Sequence, residues 1–145
     1  MRQKIYLKLP EFDKKLITFA LESGVDGFIT EPENKEAIQQ LSRTNVLTTQ
    51  DLQEFSLNSK EVEEQAASRL QADETVLLNY GWEIIPVENL LAEGKGKLAL
   101  EVSSLQEARL AAGILEKGAD YIVVLPDGTS ELRSMVSELK MSEGQ

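Results

Sequence analysis

The chain has 145 residues, 41% hydrophobic and 28% charged, with 15 basic and 25 acidic side chains giving a net charge of −10; this is the composition of an ordinary globular domain and excludes disorder as the main state. Cys and His are both absent, which excludes disulfides, thiolate metal sites and the Ser-His-Asp and Cys-His catalytic designs, leaving Lys, Asp, Glu, Tyr or a bound cofactor for any chemistry. The acidity, net −1 over residues 1–60 and net −9 over residues 61–145, argues against a nucleic-acid partner; no apolar run approaches the ~20 residues of a membrane span, so a cytoplasmic protein with no membrane partner is expected.

In chain order, Ile5-Tyr6-Leu7-Lys8-Leu9, stopped by Pro10, predicts a first strand. From Phe12 the period becomes helical on Leu16, Ile17, Ala20 and Leu21, up to Gly24, which suits a left-handed closing residue. Gly27-Phe28-Ile29-Thr30 is a continuous apolar run of the kind buried on both faces of a sheet. A second helix opens at Glu31-Pro32 with Ala37, Ile38 and Leu41 as its buried stripe, and Val46-Leu47-Thr48 is a third strand. Residues 50–58 stay open: Glu54-Phe55-Ser56-Leu57 suits a strand or a loop. Asn58 with Glu61 resembles a capping box for a helix on Val62, Ala66 and Leu70. Thr75–Leu78 reads as a strand, Pro86–Ala92 as a short helix closed by Gly94, and Leu98–Val102 as a strand. Ser104 with Glu107 forms a second capping box for a helix running through Ala108, Ala111, Ala112, Ile114 and Leu115 to Gly118. Tyr121–Leu125 is the last strand, and Leu132, Met135, Val136 and Leu139 give the last helix its face.

Strands and helices therefore alternate, which predicts parallel strands joined by right-handed crossovers and an α/β class. No linker or low-complexity stretch divides the chain, so one domain over 1–145 is expected. The stretch Ala20–Thr30 aligns without gaps on Ile114–Val124, an offset of 94, and half that offset lands on Ala72-Asp73, again just before an apolar run. The repeated unit is a helix-to-strand joint: Gly supplies positive φ and Asp caps the turn. Such joints suit a (β/α) barrel. A complete eight-unit barrel needs at least ~200 residues, so six or seven strands in 145 residues predict a shortened or incomplete TIM-barrel-like fold, open or completed from outside the chain.

Ligands of such folds bind at the carboxyl ends of the strands. That rule nominates Lys8, Thr30 with Glu31, Thr48 with Thr49, Asn79 with Tyr80, Glu101 and Asp127. Lys8 suits an anion or, if desolvated, a base or Schiff-base nucleophile; its plain alternative is a solvated lysine on an edge strand. Glu101, inside an apolar strand, requires a cationic or hydrogen-bonding partner, and Lys8 is the natural one. Trp82, the single Trp, with Tyr80 either lines a pocket or covers the barrel rim. Glu88 and Asn89 suit dipole and capping roles in a first helical turn. No G-x-G-x-x-G is present, and Gly94-Lys95-Gly96-Lys97 lacks the length and the Ser/Thr of a P-loop. Glu61, Glu63 and Glu64 have the spacing of a helix surface, so no metal site is expected.

The segment Gly81-Trp82-Glu83-Ile84-Ile85-Pro86-Val87-Glu88-Asn89-Leu90-Leu91 resembles the W-x-I-P-L-E-N-L stretch of the archaeal-type 3-dehydroquinate synthases, 3-dehydroquinate synthase II. Leu16–Thr30 is similar to that family's first helix and second strand, Glu107–Val124 to a later helix-strand unit, and Ile5–Lys8 to its first strand, which carries Lys at the same place. The resemblance implies NAD as cofactor and the oxidative deamination and cyclisation of 2-amino-3,7-dideoxy-D-threo-hept-6-ulosonate to 3-dehydroquinate, a shikimate-pathway step of aromatic amino acid synthesis. It carries over Lys8, Trp82, Pro86, Glu88 and Asn89 as matching positions; taken with the reading of Glu101 above, Lys8 and Glu101 are the expected catalytic residues and Trp82, Glu88 and Asn89 the expected substrate-binding ones, with no cofactor-binding residue assigned. Family members are more than twice as long, and the region between Val46 and Asn58 is compressed. The expected partners are therefore a small-molecule substrate and either a second copy or a chain supplying the missing C-terminal half. The alternative is a non-catalytic binding or scaffold module that kept the fold and lost the chemistry.

Overall fold

A computed structural model describes residues 3–92, 95–114 and 120–143. Among them seven strands, β1 (Lys4–Leu9), β2 (Gly27–Thr30), β3 (Asn45–Thr48), β4 (Gln53–Phe55), β5 (Thr75–Leu78), β6 (Lys97–Val102) and β7 (Tyr121–Val124), form a single all-parallel sheet. Six helices accompany them: α1 (Lys14–Ser23), α2 (Lys35–Leu41, entered through a 3-10 turn at Pro32–Asn34), α3 (Lys60–Gln71), α4 (Ile84–Leu91), α5 (Leu105–Ile114) and α6 (Thr129–Glu143).

The strand order is β3-β2-β1-β7-β6-β5-β4. Joined end to end it is the cyclic order of a (β/α) barrel, with one break, between β3 and β4. That joint is also the one strand-to-strand connection without a helix, because residues 49–52 alone link Thr48 to Gln53. The compression seen in the sequence is thus a missing crossover helix at the seam of a curled, incomplete TIM-barrel-like sheet.

Strand alternation sorts the core into two layers. Ile5, Leu7, Leu9, Phe28, Val76, Leu78, Leu98, Leu100, Ile122 and Val124 face the helices and pack with Ile17, Ala66, Leu90, Ala111 and Met135. Tyr6, Ile29, Leu52, Leu77, Ala99 and Val123 form a smaller cluster on the other, concave face. There Tyr6 meets Tyr121 edge-on at 5.0 Å. Gly27 makes room for it: a Cβ at Gly27 would stand 2.8 Å from the Tyr6 ring and 2.6 Å from the Asn45 carbonyl oxygen.

The repeated helix-to-strand joint has a specific purpose. Gly24 closes α1 at φ 110°, and the Asp26 carboxylate then accepts the Ile5 N–H at 2.8 Å, while Asp120 accepts the Leu98 N–H at 3.0 Å. Each Asp satisfies a strand-start donor on the neighbouring strand. At the third joint Asp73 itself takes the left-handed position, at φ 66°, which Asp tolerates better than most residues.

Several local expectations are corrected. The N-cap of α3 is Ser59, whose hydroxyl accepts the Val62 N–H at 3.2 Å, and not Asn58. Leu41 is exposed, leaving Ile38 as the buried anchor of α2. Helix α4 begins at Ile84, ahead of Pro86, because proline is tolerated within the first turn where its missing N–H has no helical partner. Gln53–Phe55 is a strand. The expected helix ends at Gly94 and Gly118 lie outside the described residues.

Candidate functional site

Lys8, Glu54, Asn79 and Glu101 each stand two positions beyond a residue of the concave cluster, namely Tyr6, Leu52, Leu77 and Ala99. Alternation therefore turns all four onto the concave face at the carboxyl ends of their strands. Glu101 is 1% exposed, yet it lacks nothing. Its Oε2 accepts Lys8 Nζ at 2.6 Å, and its Oε1 accepts Asn79 Nδ2 at 3.2 Å and the Tyr80 N–H at 3.1 Å. Lys8 reaches it over β7, the strand lying between β1 and β6, a span of about 10 Å between backbones that only a long side chain crosses.

Lys8 Nζ also donates to Glu54 Oε2 at 3.2 Å, and the same carboxylate oxygen accepts Asn79 Nδ2 at 2.8 Å. Ser56 Oγ donates to Asn79 Oδ1 at 2.7 Å and so fixes the orientation of the amide. Burial alone pulls the Lys8 ammonium down; the hydrogen bond and charge of Glu101, then those of Glu54, outweigh it, and the net shift is above the ordinary lysine value. Lys8 is therefore a held cation. This geometry does not suit a neutral Schiff-base nucleophile, which needs a lowered pKa.

With one ammonium between two carboxylates the cluster carries a net −1. Glu101 is buried, whereas Lys8 and Glu54 keep 26% and 41% of their side-chain surface open to solvent. Lys8 has a third N–H beyond its two carboxylate bonds. The pair thus presents a cation and an acceptor to the open face on a rigid, buried anchor.

The turn after β5 is tied to the turn after β6. Glu107 accepts the Gly81 N–H at 2.9 Å and the Ser103 N–H at 2.7 Å, while its own N–H is capped by Ser104 Oγ at 3.0 Å. The predicted capping box is present in modified form, its carboxylate one residue upstream and shared with the neighbouring loop.

The remaining nominated residues are placed elsewhere. Trp82, 7% exposed, packs in the helix-side core and donates Nε1–H to the Glu101 carbonyl at 2.7 Å; it supports β6 from behind and lines no concave pocket. Glu88 and Asn89 sit exposed on α4, where Asn89 Nδ2 faces Glu63 of α3 at 3.5 Å. These three do not join the Lys8 cluster, because the helix layer and the concave face lie on opposite sides of the sheet. Thr30 Oγ1 donates to the Leu9 carbonyl, Thr49 Oγ1 to Glu31, and Thr48 pairs with Asp51, so these act as local clasps. Asp127 is held by Glu131 through its N–H. Glu54 and Ser56 were missed as site residues; a three-residue strand is too short to reveal its own alternation.

Among the described residues no group of three or more acidic side chains is arranged to hold a metal ion, and no helix is long and apolar enough to cross a membrane.

Residues 2–139 match the family described as the 3-dehydroquinate synthase II N-terminal domain. The 3-dehydroquinate synthase homolog of Persephonella marina is 34% identical over 137 residues, covering 89% of this chain and 41% of the relative. The 3-dehydroquinate synthase of Archaeoglobus fulgidus is 32% identical, covering 91% and 39%, and that of Methanocaldococcus jannaschii 30% identical, covering 86% and 44%. The chain thus spans about two fifths of the length of the curated relatives it matches. A family match over residues 2–139, nearly the whole chain, establishes that the chain belongs to the 3-dehydroquinate synthase II N-terminal domain family.

Proposed function

We propose that this chain supplies the substrate-binding part of a 3-dehydroquinate synthase II site, acting in the NAD-dependent oxidative deamination and cyclisation of 2-amino-3,7-dideoxy-D-threo-hept-6-ulosonate. The observation that carries this is the Lys8–Glu101–Glu54–Asn79 network at the strand ends of a family member. The substrate has an amino group, a carboxylate, hydroxyls and a ketone. NAD, held elsewhere, would supply the hydride acceptor for oxidation of the carbon bearing the amine, and water would release that nitrogen as ammonia. Cyclisation then needs a proton removed beside the ketone and a cation facing the oxygen on which charge develops.

The chain's own residues divide that work by exposure. Glu101, buried and fully bonded, is a positioning residue that keeps Lys8 charged and aimed. Lys8 offers its free N–H to the developing enolate oxygen, where preorganised charge lowers the barrier most. Glu54, partly open to solvent, accepts the substrate ammonium or the departing proton. Asn79, locked by Ser56, holds Glu54 and Glu101 in register. The described residues do not fit a dinucleotide, because most of their strand-end N–H donors are taken by the chain's own side chains. The reaction requires a second polypeptide segment that brings it.

Calorimetric titration of the purified chain with the amino acid substrate tests this. Saturable binding that weakens at least tenfold in Lys8→Ala supports the proposal. Equal heats from wild type and Lys8→Ala overturn it.

A further inference from the structure

Phosphates bind protein most readily at open helix N-termini and in turns of unpaired N–H groups. Among the described residues most of those positions at the carboxyl ends of the strands are already occupied by the chain's own side chains, chiefly acidic ones. After β1, Asp13 Oδ1 accepts the Leu16 N–H at 3.1 Å. After β3, Asp51 accepts the Thr48 N–H at 2.8 Å. After β6, Glu107 takes the Ser103 N–H, and after β7 Glu131 takes the Asp127 N–H at 2.7 Å. After β4 the Ser59 hydroxyl caps α3, and after β5 Glu101 and Glu107 accept the N–H groups of Tyr80 and Gly81.

Two positions remain. The 3-10 turn after β2 starts at Glu31-Pro32, a carboxylate followed by a residue with no N–H. Helix α4 has no side-chain cap, but Glu83 occupies its N-cap position and Pro86 removes one of its donors. The groove of about 570 Å³ along Leu9–Leu16 does hold Lys14 and Lys15, yet Glu11 and Asp13 line it too and cancel their charge. At most of the strand-end turns the N–H donors that a pyrophosphate needs are therefore taken by the chain's own side chains or stand beside a carboxylate, and the Lys8 cluster, with two carboxylates to one ammonium, adds no excess positive charge.

We infer that the described residues of this chain hold no dinucleotide: their strand-end face is built for a phosphate-free ligand bearing amine and hydroxyl donors, and the NAD of the proposed reaction is held by residues other than these. Donors on the ligand meet Glu54, while its carbonyl or hydroxyl oxygens meet Lys8. The ligand class rests on the proposed function above; the exclusion of the pyrophosphate rests on the occupied turns and the charge of the Lys8 cluster.

Amide chemical-shift titration of the isotope-labelled chain separates the two. With NAD, NADH and ADP-ribose at millimolar concentration, the amides of Leu16, Thr48, Ser103 and Asp127 are expected to stay in place. With the amino acid substrate, Tyr80 and the residues around Lys8 and Glu54 are expected to shift, and Glu54→Gln to weaken that binding at least fivefold. Saturable NAD shifts at the turn amides, with a dissociation constant below about 1 mM, overturn the inference while leaving the substrate site intact. Absence of substrate shifts, with NAD also silent, overturns the proposed function and its ligand class while leaving the exclusion of the dinucleotide standing.

Discussion

Lys8 and Glu54 form an ion pair of 3.2 Å although their strands, β1 and β4, stand four positions apart in the sheet order. In a flat sheet those backbones would be about 19 Å apart, beyond the reach of two side chains. The pair is therefore a direct measure of how far the sheet curls, and it makes the concave site and the barrel-like fold one fact. It also closes a chain of charge, Glu54–Lys8–Glu101, that only a curled sheet can assemble.

Removing the cation should expose what it holds. Lys8→Met leaves Glu101 buried at 1% exposure without its counter-charge and should cost about 2–4 kcal/mol in urea unfolding, somewhat below a fully buried pair because water reaches Lys8. Glu54→Gln, on the open side, should cost under about 1 kcal/mol. Adding Glu101→Gln to Lys8→Met should recover part of the loss; no recovery would mean that Glu101 is not the group stranded.

Alkaline pH should weaken the fold through two groups. Lys8 titrates above its ordinary 10.5 in the folded chain, so its stabilisation is complete below that value and disappears as pH rises through the raised one. Tyr6 is raised above 10.0, chiefly by burial and then by Tyr121; the unfolded chain ionises first, so stability again falls as pH climbs above 10.0. Thermal melts from neutral to strongly alkaline pH should show a flatter decline in both Lys8→Met and Tyr6→Phe than in the wild type. Identical slopes would contradict both assignments.

Two glycines should respond with opposite signs. Gly27→Ala drives a Cβ against the Tyr6 ring and the Asn45 carbonyl and should destabilise by about 1–3 kcal/mol. Gly113, in α5, has nothing within 4 Å of the same added atom, so Gly113→Ala should stabilise by about 0.5–1 kcal/mol through helix propensity. Denaturant midpoints of the two variants measure this directly.

Glu107 should govern the loop that carries Asn79 and Tyr80. Glu107→Ala frees the N–H groups of Gly81 and Ser103, and their hydrogen exchange should accelerate tenfold or more, corresponding to about 1.4 kcal/mol or more. Exchange of core amides such as Leu100 should change far less. Uniform acceleration would mean a global loss of stability rather than a loosened loop.

The alternation of strands and helices and the resemblance around Trp82 were both legible in the sequence, because period and turn residues are local properties. The Lys8–Glu101 partnership was legible for a different reason: a carboxylate inside an apolar strand demands a partner, and few cations were available. What escaped was set by tertiary geometry. Glu54 lies on a strand of three residues, and only the sheet's curl brings it to Lys8. The direction of Trp82, into the helix-side core, follows from which side of β6 the β5–α4 connection packs, and sequence carries no mark of that. Asn58 and Ser59 are both good caps, and the choice between them depends on where the chain leaves β4.

The most direct test of the account is the affinity of the amino acid substrate for the wild-type chain, Lys8→Ala and Glu54→Gln, measured by titration without NAD. Saturable binding to the wild type is expected, weakened at least tenfold by Lys8→Ala and at least fivefold by Glu54→Gln. Binding that is absent from the wild type, or unchanged in both variants, would contradict it.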